Sequence, residues 1–234
     1  MNKTLKYNGT YTDNFGTTPI VVENNNQKLY TEIDGVKFSA YDFFEFVVDD
    51  KSNYTPQQLN RFTFSKTLIH RSNTVEERLS NCVFEIFVPQ VIIDKTNVSE
   101  VYTELKIEYA SGETRFKAAD EMHDKKIKLS LKIEGHTFEG KSELFELALD
   151  QIRSQFDDKY HFKNCYGCMY GDYSVYGQNS FGTMLCFLSQ KEKYESVTDK
   201  SEYTKLKFDE AVHVPETYCC ENFKIRKSGS GYRG

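Results

Sequence analysis

Apolar and polar residues alternate along much of the chain between residues 28 and 140, with the period of strands that have one buried face. Over residues 28–41, KLYTEIDGVKFSAY, two alternating runs flank Asp34-Gly35, a dipeptide that favours a tight β-hairpin. Residues 61–70 and 126–134 alternate in the same way. The pattern predicts about seven or eight strands joined by short turns, with a second hairpin over residues 101–118.

Two segments depart from this alternation. Residues 82–93 are apolar at nearly every position, which predicts a central strand, and Pro89 predicts a bend within it. Over residues 142–157 apolar residues recur with helical spacing after Ser142, a suitable N-cap. We therefore predict an α+β fold: a mainly antiparallel β-sheet, as a sandwich or a curled sheet, with one principal helix and a cysteine-rich C-terminal segment.

Changes in composition suggest three parts. Residues 1–27 are polar and rich in Asn, Thr and Gly, so we predict a loosely ordered arm. Residues 28–160 form a β-rich domain against which the helix packs. Residues 161–234, rich in Cys, Gly and Tyr, are expected to pack on the same domain.

Composition also limits the class of protein. Of the 234 residues, 38% are hydrophobic and 15% aromatic, which is enough apolar surface for a folded core. The net charge of −5 disfavours nucleic acid as a partner. No apolar run approaches the ~20 residues of a membrane-spanning helix, and the N-terminus has no signal-peptide pattern. We expect a soluble cytoplasmic protein that does not enter the membrane, whose cysteines are free thiols or metal ligands.

The sharpest chemical signal is the pair Cys165 and Cys168, separated by Tyr-Gly. Such a turn can offer two thiolates to one tetrahedral zinc ion, and a structural site needs two further ligands. Cys186 is one candidate. Cys219 and Cys220 are adjacent and would face opposite sides of a strand, so we expect only one of them to be the other ligand. We choose Cys220, because Pro215 ends the preceding segment and Cys220 leads directly into the C-terminal tail. The predicted site is a structural zinc ion held by Cys165, Cys168, Cys186 and Cys220.

Other interpretations of these residues stay open. Cys186 could be a buried apolar residue, as we expect for Cys82, and His161 and His213 are reserve ligands. A redox-active pair is also possible, but the residues after Cys168 begin a helix poorly. The nearby tyrosines favour a roof over the metal turn, with a protein interface as the second interpretation.

The motifs of the C-terminal third occur in one order: Cys165 to Cys168, Gly171 to Gly177 (GDYSVYG), Phe181 to Phe187 (FGTMLCF), Glu216 to Cys220 (ETYCC) and Gly229 to Gly234 (GSGYRG). This order resembles an uncharacterised bacterial family whose members carry only a domain-of-unknown-function label. The resemblance is confined to that third of the chain. It implies a bacterial origin and supports the four cysteines as one set, and it implies no activity.

We find no signature of a catalytic site: no Gly-x-Ser-x-Gly elbow, no phosphate-binding loop and no His-Glu-x-x-His. The sequence therefore favours a non-enzymatic protein-binding module with a structural zinc site. A toxin-immunity protein is the concrete form, in which an acidic surface covers a basic toxin. The alternative is an enzyme that uses a thiol or an open zinc position between Cys165 and Cys186.

Overall fold

The structure is a computed structural model that describes residues 4–25, 27–69, 73–112, 125–174, 181–227 and 229. Its strands are β1 (Leu5–Asp13), β2 (Gly16–Asn24), β3 (Leu29–Ile33), β4 (Val36–Ala40), β5 (Val47–Val48), β6 (Phe64–Ile69), β7 (Thr74–Leu79), β8 (Cys82–Asp94), β9 (Ser99–Ser111), β10 (Lys125–Ile133), β11 (His136–Ser142), β12 (Tyr160–Phe162), β13 (Gly171–Asp172), β14 (Met184–Cys186) and β15 (Val212–Val214).

Helices are short and few beside these strands. They are α1 (Pro56–Leu59), α2 (Phe145–Ser154), α3 (Lys191–Glu195) and α4 (Lys200–Tyr203), with 3₁₀ turns at Lys51–Asn53, Leu188–Gln190 and Phe208–Glu210. The mainly antiparallel, sheet-dominated α+β fold predicted from the sequence is confirmed. Within the described ranges, no helix has the length and apolar character needed to span a bilayer.

The chain divides into two compact units that interleave in sequence. Unit 1 comprises Met1–Val88, Lys106–Leu129 and Lys141–Glu143, and unit 2 comprises Pro89–Leu105, Ser130–Gly140 and Leu144–Gly234. These bounds differ from the three-part division expected from composition. The long strands β8, β9 and β10 each contribute residues to both units, which no change in composition along the chain marks.

In unit 1 the strands neighbour one another in the order β10-β9-β8-β1-β2-β3-β4-β5, with β6 and β7 as a separate antiparallel hairpin. The hairpin predicted at Asp34-Gly35 is present between β3 and β4, and both residues have positive φ (49° and 80°). That backbone shape is the two-residue turn that matches strand twist. The partner strand predicted over residues 113–118 lies outside the described residues.

The polar arm predicted over residues 1–27 is corrected in the structure, because β1 and β2 form an antiparallel hairpin there. Four apolar side chains, Tyr7, Tyr11, Ile20 and Val22, are buried on one face. Asn8, Thr10 and Thr12 of β1 occupy the other face, so a polar average hid a regular alternation.

The core of unit 1 is aromatic. Phe43 stacks on Tyr109 with ring centroids 4.4 Å apart, and Phe46 stacks on Phe84 at 4.9 Å. The sequence suggests a strand over residues 43–48, whereas only Val47–Val48 is a strand. Before β5 the chain turns instead, because buried Asp42 accepts a hydrogen bond from the backbone N–H of Phe44 at 2.6 Å.

Strand β8 is central, as predicted, and Pro89 occupies a particular place in it. The strand pairs with β1 through residues 83–87 and with β12 through residues 92–94. Pro89 has no N–H to donate and lies between these two stretches of pairing. The chain therefore places its proline where neither of these neighbours requires a donor.

The principal helix α2 lies in unit 2 and is shorter than the predicted span of residues 142–157. It begins after Leu144, which makes no side-chain cap, because Ser142 belongs to β11. Its apolar face, Phe145, Ala148, Leu149 and Ile152, is fully buried. In the same unit the strand order is β11-β10-β9-β8-β12, and β13, β14 and β15 form a small antiparallel sheet.

Candidate functional site

Cys165 and Cys168 lie in a tight turn directly after β12. The backbone N–H of Cys168 donates to the carbonyl of Cys165 at 3.2 Å. The residue between them must be small, because a Cβ on Gly167 would lie 2.1 Å from the carbonyl oxygen of Phe162. Buried Asn164 supports the turn by accepting a hydrogen bond from the Gly167 N–H at 3.1 Å. The sequence thus forms a tight, glycine-dependent turn between the two cysteines.

Backbone pairing brings the other two predicted ligands to this turn. Cys186 ends β14, where it is opposite Gly171 on β13 and Val212 on β15. Cys220 follows a segment whose Tyr218 carbonyl accepts from the Cys165 N–H at 2.6 Å. The chain after Cys220 continues along the turn, with a bridge between Cys168 and Ile225.

The thiols influence one another electrostatically. Burial, and then the neighbouring thiols of Cys186, Cys168, Cys220 and Cys219, raise the pKa of Cys165 well above its ordinary value. The pKa of Cys186 is raised by burial and by Cys168 and Cys220. The structure therefore gathers all four predicted ligands in one neighbourhood of unit 2.

Their side chains are not in ligand geometry as they stand. Within the part of the chain that the structure describes, no group of three or more His, Cys, Asp or Glu side chains is arranged so that it could hold a metal ion. The donor set itself is of the kind that zinc takes, since four cysteine sulfurs are a common ligand set of structural zinc sites. The zinc site stays a prediction.

The remaining candidates occupy distinct positions. Cys219 is exposed, and its Sγ lies 3.6 Å from the Cys220 carbonyl, whereas Cys220 is half-buried. The Nε2–H of His161 donates to the Gly167 carbonyl at 2.8 Å, which commits that nitrogen to the backbone. His213 is exposed on β15. Cys82 is buried in β8, as expected, and burial raises its pKa to about 12.

The tyrosines near the thiols are core residues. Tyr166, Tyr170 and Tyr173 are buried, and Tyr176 lies outside the described residues. The C-terminal segment has a hydrophobic core of its own, which the sequence did not predict and which we call the C-terminal cluster. It consists of Cys168, Met169, Tyr170, Leu185, Phe187, Tyr194, Val197, Tyr203 and Leu206. Because the rings of Tyr166, Tyr170 and Tyr173 are buried, they are unavailable as a binding surface.

Sequence reasoning missed two buried acids beside this cluster. Glu216 is completely buried; its carboxylate accepts from the Tyr173 hydroxyl at 3.1 Å and from the Gly182 N–H at 2.8 Å. Burial raises the pKa of Glu216 to about 7, although these hydrogen bonds oppose the shift. Asp172 accepts from the Tyr194 hydroxyl at 2.6 Å. No local pattern in the sequence marks either residue as buried.

Unit 1 carries a groove of about 700 Å³ on the strands β1 to β4. Two apolar side chains in its lining are partly exposed, Val21 at 44% and Tyr30 at 37%. The charged side chains in the lining are those of Glu23, Glu32, Asp49 and Lys37. The groove therefore combines apolar contact area with an acidic rim.

Fold and site together define a sheet-dominated α+β protein whose second unit gathers five cysteines around one turn. The chain belongs to a family of unknown function, DUF6304, whose model matches residues 5–171. No curated protein matches the chain. No solved structure matches it either.

This match corrects the extent of the resemblance noted in the sequence. A family of unknown function is confirmed, but it covers the sheet and α2 rather than the C-terminal third alone. It includes Cys165 and Cys168 and ends at residue 171, before Cys186 and Cys220. Of the five motifs, only the first, Cys165 to Cys168, lies completely within the family match. Parts of two other motifs, residues 175–177 and 230–234, lie outside the residues that the structure describes.

Proposed function

We propose that this protein is a non-catalytic, cytoplasmic protein-binding module that holds a basic segment of a partner protein in the groove of unit 1. The observation that carries the proposal is the groove itself, a concave surface of about 700 Å³ with exposed Val21 and Tyr30. A tyrosine next to an aliphatic side chain, here Tyr30 with Val21, is typical of the apolar centre of a protein-binding surface.

The charge of the rim selects the partner. Three carboxylates line the groove against the single lysine Lys37, and Lys6 neutralises only Glu23, at 2.6 Å. Glu32 lies opposite Lys37 in the pairing of β3 with β4, so Lys37 offsets part of its charge, and Asp49 adds a further carboxylate for Lys or Arg side chains. A rim of one sign accelerates association with an oppositely charged partner and discriminates against acidic ones. In a bacterial cell a basic toxin is such a partner, and capping it would make this protein an immunity protein.

Peptides displayed at random and selected on the immobilised full chain test this proposal. We expect the selected peptides to be enriched in Lys and Arg around an apolar residue. In calorimetry, Glu32→Lys should weaken binding of a selected peptide about tenfold, since it removes one attraction and adds one repulsion.

The matched control is Glu104→Lys, which makes the same charge change at an exposed residue of β9 outside the groove. It should leave the affinity for the same peptide unchanged. Selected peptides without a basic excess, or equal losses in the two variants, would contradict the groove as the binding site.

The zinc ion in this proposal has a structural role. Cys165, Cys168, Cys186 and Cys220 would hold it, with Cys219 outside the ligand set. Unpaired thiolates in this buried position are unfavourable, and a divalent ion provides the positive charge that stabilises them. The ion would link the turn after β12 to β14 and to the loop at Cys220, three segments that are far apart in sequence.

The alternative of a thiol enzyme is less consistent with the site. A nucleophilic cysteine requires a lowered pKa and access to substrate. Cys165 is buried, and its pKa and that of Cys186 are raised. We therefore keep the binding function as the proposal.

A further inference from the structure

A second cavity, of about 530 Å³, lies in unit 2 and is distinct from the acidic groove. Its wall includes residues of β12 and of α2, and the segment that ends at Lys227. The cavity volume is within the ~300–1,000 Å³ range of sites for small molecules.

The charged side chains of this cavity are mostly cationic, although the chain as a whole is acidic. Lys95, Arg153, Arg226 and Lys227 line it, and Asp158 is the acid among the lining residues. Lys95 contacts Asp158 at 3.5 Å, but that carboxylate is fully exposed, and such pairs contribute little.

The two arginines are held in place by other contacts. Arg153 lies 3.1 Å from Asp150 and over the ring of Tyr166, 5.7 Å from its centroid. Nη2 of Arg226 donates to the Gly171 carbonyl and, at 3.3 Å, to the Met169 carbonyl. These carbonyls are neutral, so they orient the guanidinium without cancelling its charge.

His161 also lines the cavity, and this positive charge affects its pKa. Burial lowers the pKa of His161, and the nearby Lys95, Arg153 and Arg226 lower it further. The imidazole is therefore surrounded by positive charge on several sides. An anion in the cavity would offset that charge.

We propose that this cavity binds a small phosphorylated molecule through its phosphate group, with Arg153 and Lys227 as direct contacts. Asp150 and Asp158 offset part of the charge of the two arginines and two lysines, which leaves a net charge of about +2. A phosphate dianion matches that charge. Arginine can bind phosphate with two parallel hydrogen bonds, and lysine acts as a point charge. The cavity has room for an organic group beside the phosphate.

Calorimetry on the full chain at low ionic strength, with inorganic phosphate, adenosine 5′-monophosphate and adenosine as probes, tests the proposal. We expect saturable binding of both phosphate compounds with a Kd of about 1 mM or lower, and none of adenosine. Tighter binding of the monophosphate would identify a phosphorylated organic ligand. Equal binding of the two would identify the phosphate group as the whole of what is recognised.

Variants separate the cavity from general electrostatic attraction. Arg153→Gln and Lys227→Gln should each weaken phosphate binding about tenfold. Lys224→Gln is the matched control, because Lys224 is three residues from Lys227, pairs with Glu195 at 2.5 Å and does not line the cavity. It should bind phosphate as the wild type does.

An independent readout follows the His161 ring by NMR during pH titration. Bound phosphate should raise its pKa in the wild type and not in Arg153→Gln. Absence of saturable binding, or an equal loss in Lys224→Gln, would overturn the proposal. Because Glu32→Lys lies in unit 1, its binding results are distinguishable from these.

Discussion

Glu216 is the residue whose environment departs furthest from what its type suggests. Its carboxyl group is completely buried, and its partners Tyr173 and Gly182 are 43 and 34 residues away in sequence. Glu146, from α2, adds a second negative charge that raises the pKa of Glu216 further. A buried carboxyl with a pKa of about 7 is protonated in the folded state over a range where it is ionised in the unfolded chain.

Glu216 should therefore make stability depend on pH. Because its pKa rises from 4.5 to about 7 on folding, its contribution is fully present below pH 4.5 and is lost as the pH rises to 7. The loss is roughly 3 kcal/mol in the free energy of unfolding. Glutamine is a neutral isostere, so Glu216→Gln should not lose this contribution. In urea unfolding, the free energy of unfolding of the variant should therefore rise relative to that of the wild type as the pH increases from 4.5 to 7.

Glu221→Gln provides the control at an exposed position of the same segment. Its stability difference from wild type should stay flat over the same pH range. Parallel curves for wild type and Glu216→Gln would contradict the buried ionisation.

At the scale of elements, the segment after α2 is held together by aromatic packing, although its sequence shows neither helical nor strand periodicity. Phe187 stacks on Tyr194 with centroids 5.2 Å apart and meets Tyr203 edge-on at 5.5 Å. The tyrosine hydroxyls are also bonded, that of Tyr194 to Asp172 and that of Tyr203 to the Tyr173 carbonyl at 2.7 Å. The C-terminal cluster thus packs as a small core, with its polar tips satisfied.

Truncation at the centre of this cluster should be costly. Phe187→Ala should lower the free energy of unfolding by about 3–5 kcal/mol, since it leaves a cavity where a fully buried ring was. Val212→Ala, on β15 and 60% exposed, should change it by less than about 0.5 kcal/mol. Chemical denaturation followed by tyrosine fluorescence measures both, and equal effects would contradict the cluster as a core.

At the scale of the whole molecule, the predicted zinc site would couple metal binding to folding. Three of the four predicted ligands, Cys165, Cys186 and Cys220, belong to segments joined by backbone pairing rather than by sequence proximity. A site assembled in this way exists only in the folded chain, so the free energy of binding contributes to folding.

Elemental analysis of the natively purified chain should find a single zinc ion. Cys165→Ser, Cys186→Ser and Cys220→Ser should lose it, because each removes one of four ligands. Cys219→Ser should retain it. Removal of the ion by a chelator should increase hydrogen exchange in residues 160–226 and leave residues 5–24 protected.

A different pattern would redirect the interpretation. Metal-free protein with freely titratable thiols at Cys165 and Cys168 would contradict the structural zinc site and put thiol chemistry first. Loss of zinc in Cys219→Ser but not in Cys220→Ser would exchange the fourth ligand.

The sequence by itself determined the features that depend on short-range physics. Alternation predicted the sheet-dominated fold, because residues two apart share a face of a strand. Asp34-Gly35 predicted its hairpin, because the turn requires positive φ at both residues. The spacing of Cys165 and Cys168 predicted a tight turn, and the structure has that turn.

Only the tertiary structure decided which distant residues meet. The burial of Glu216, the acidic groove and the basic cavity each combine residues from separate strands and loops. Sequence patterns report which face of an element is apolar, but not which other element covers that face. Burial and local charge depend on that covering, so they arise only when the chain has folded.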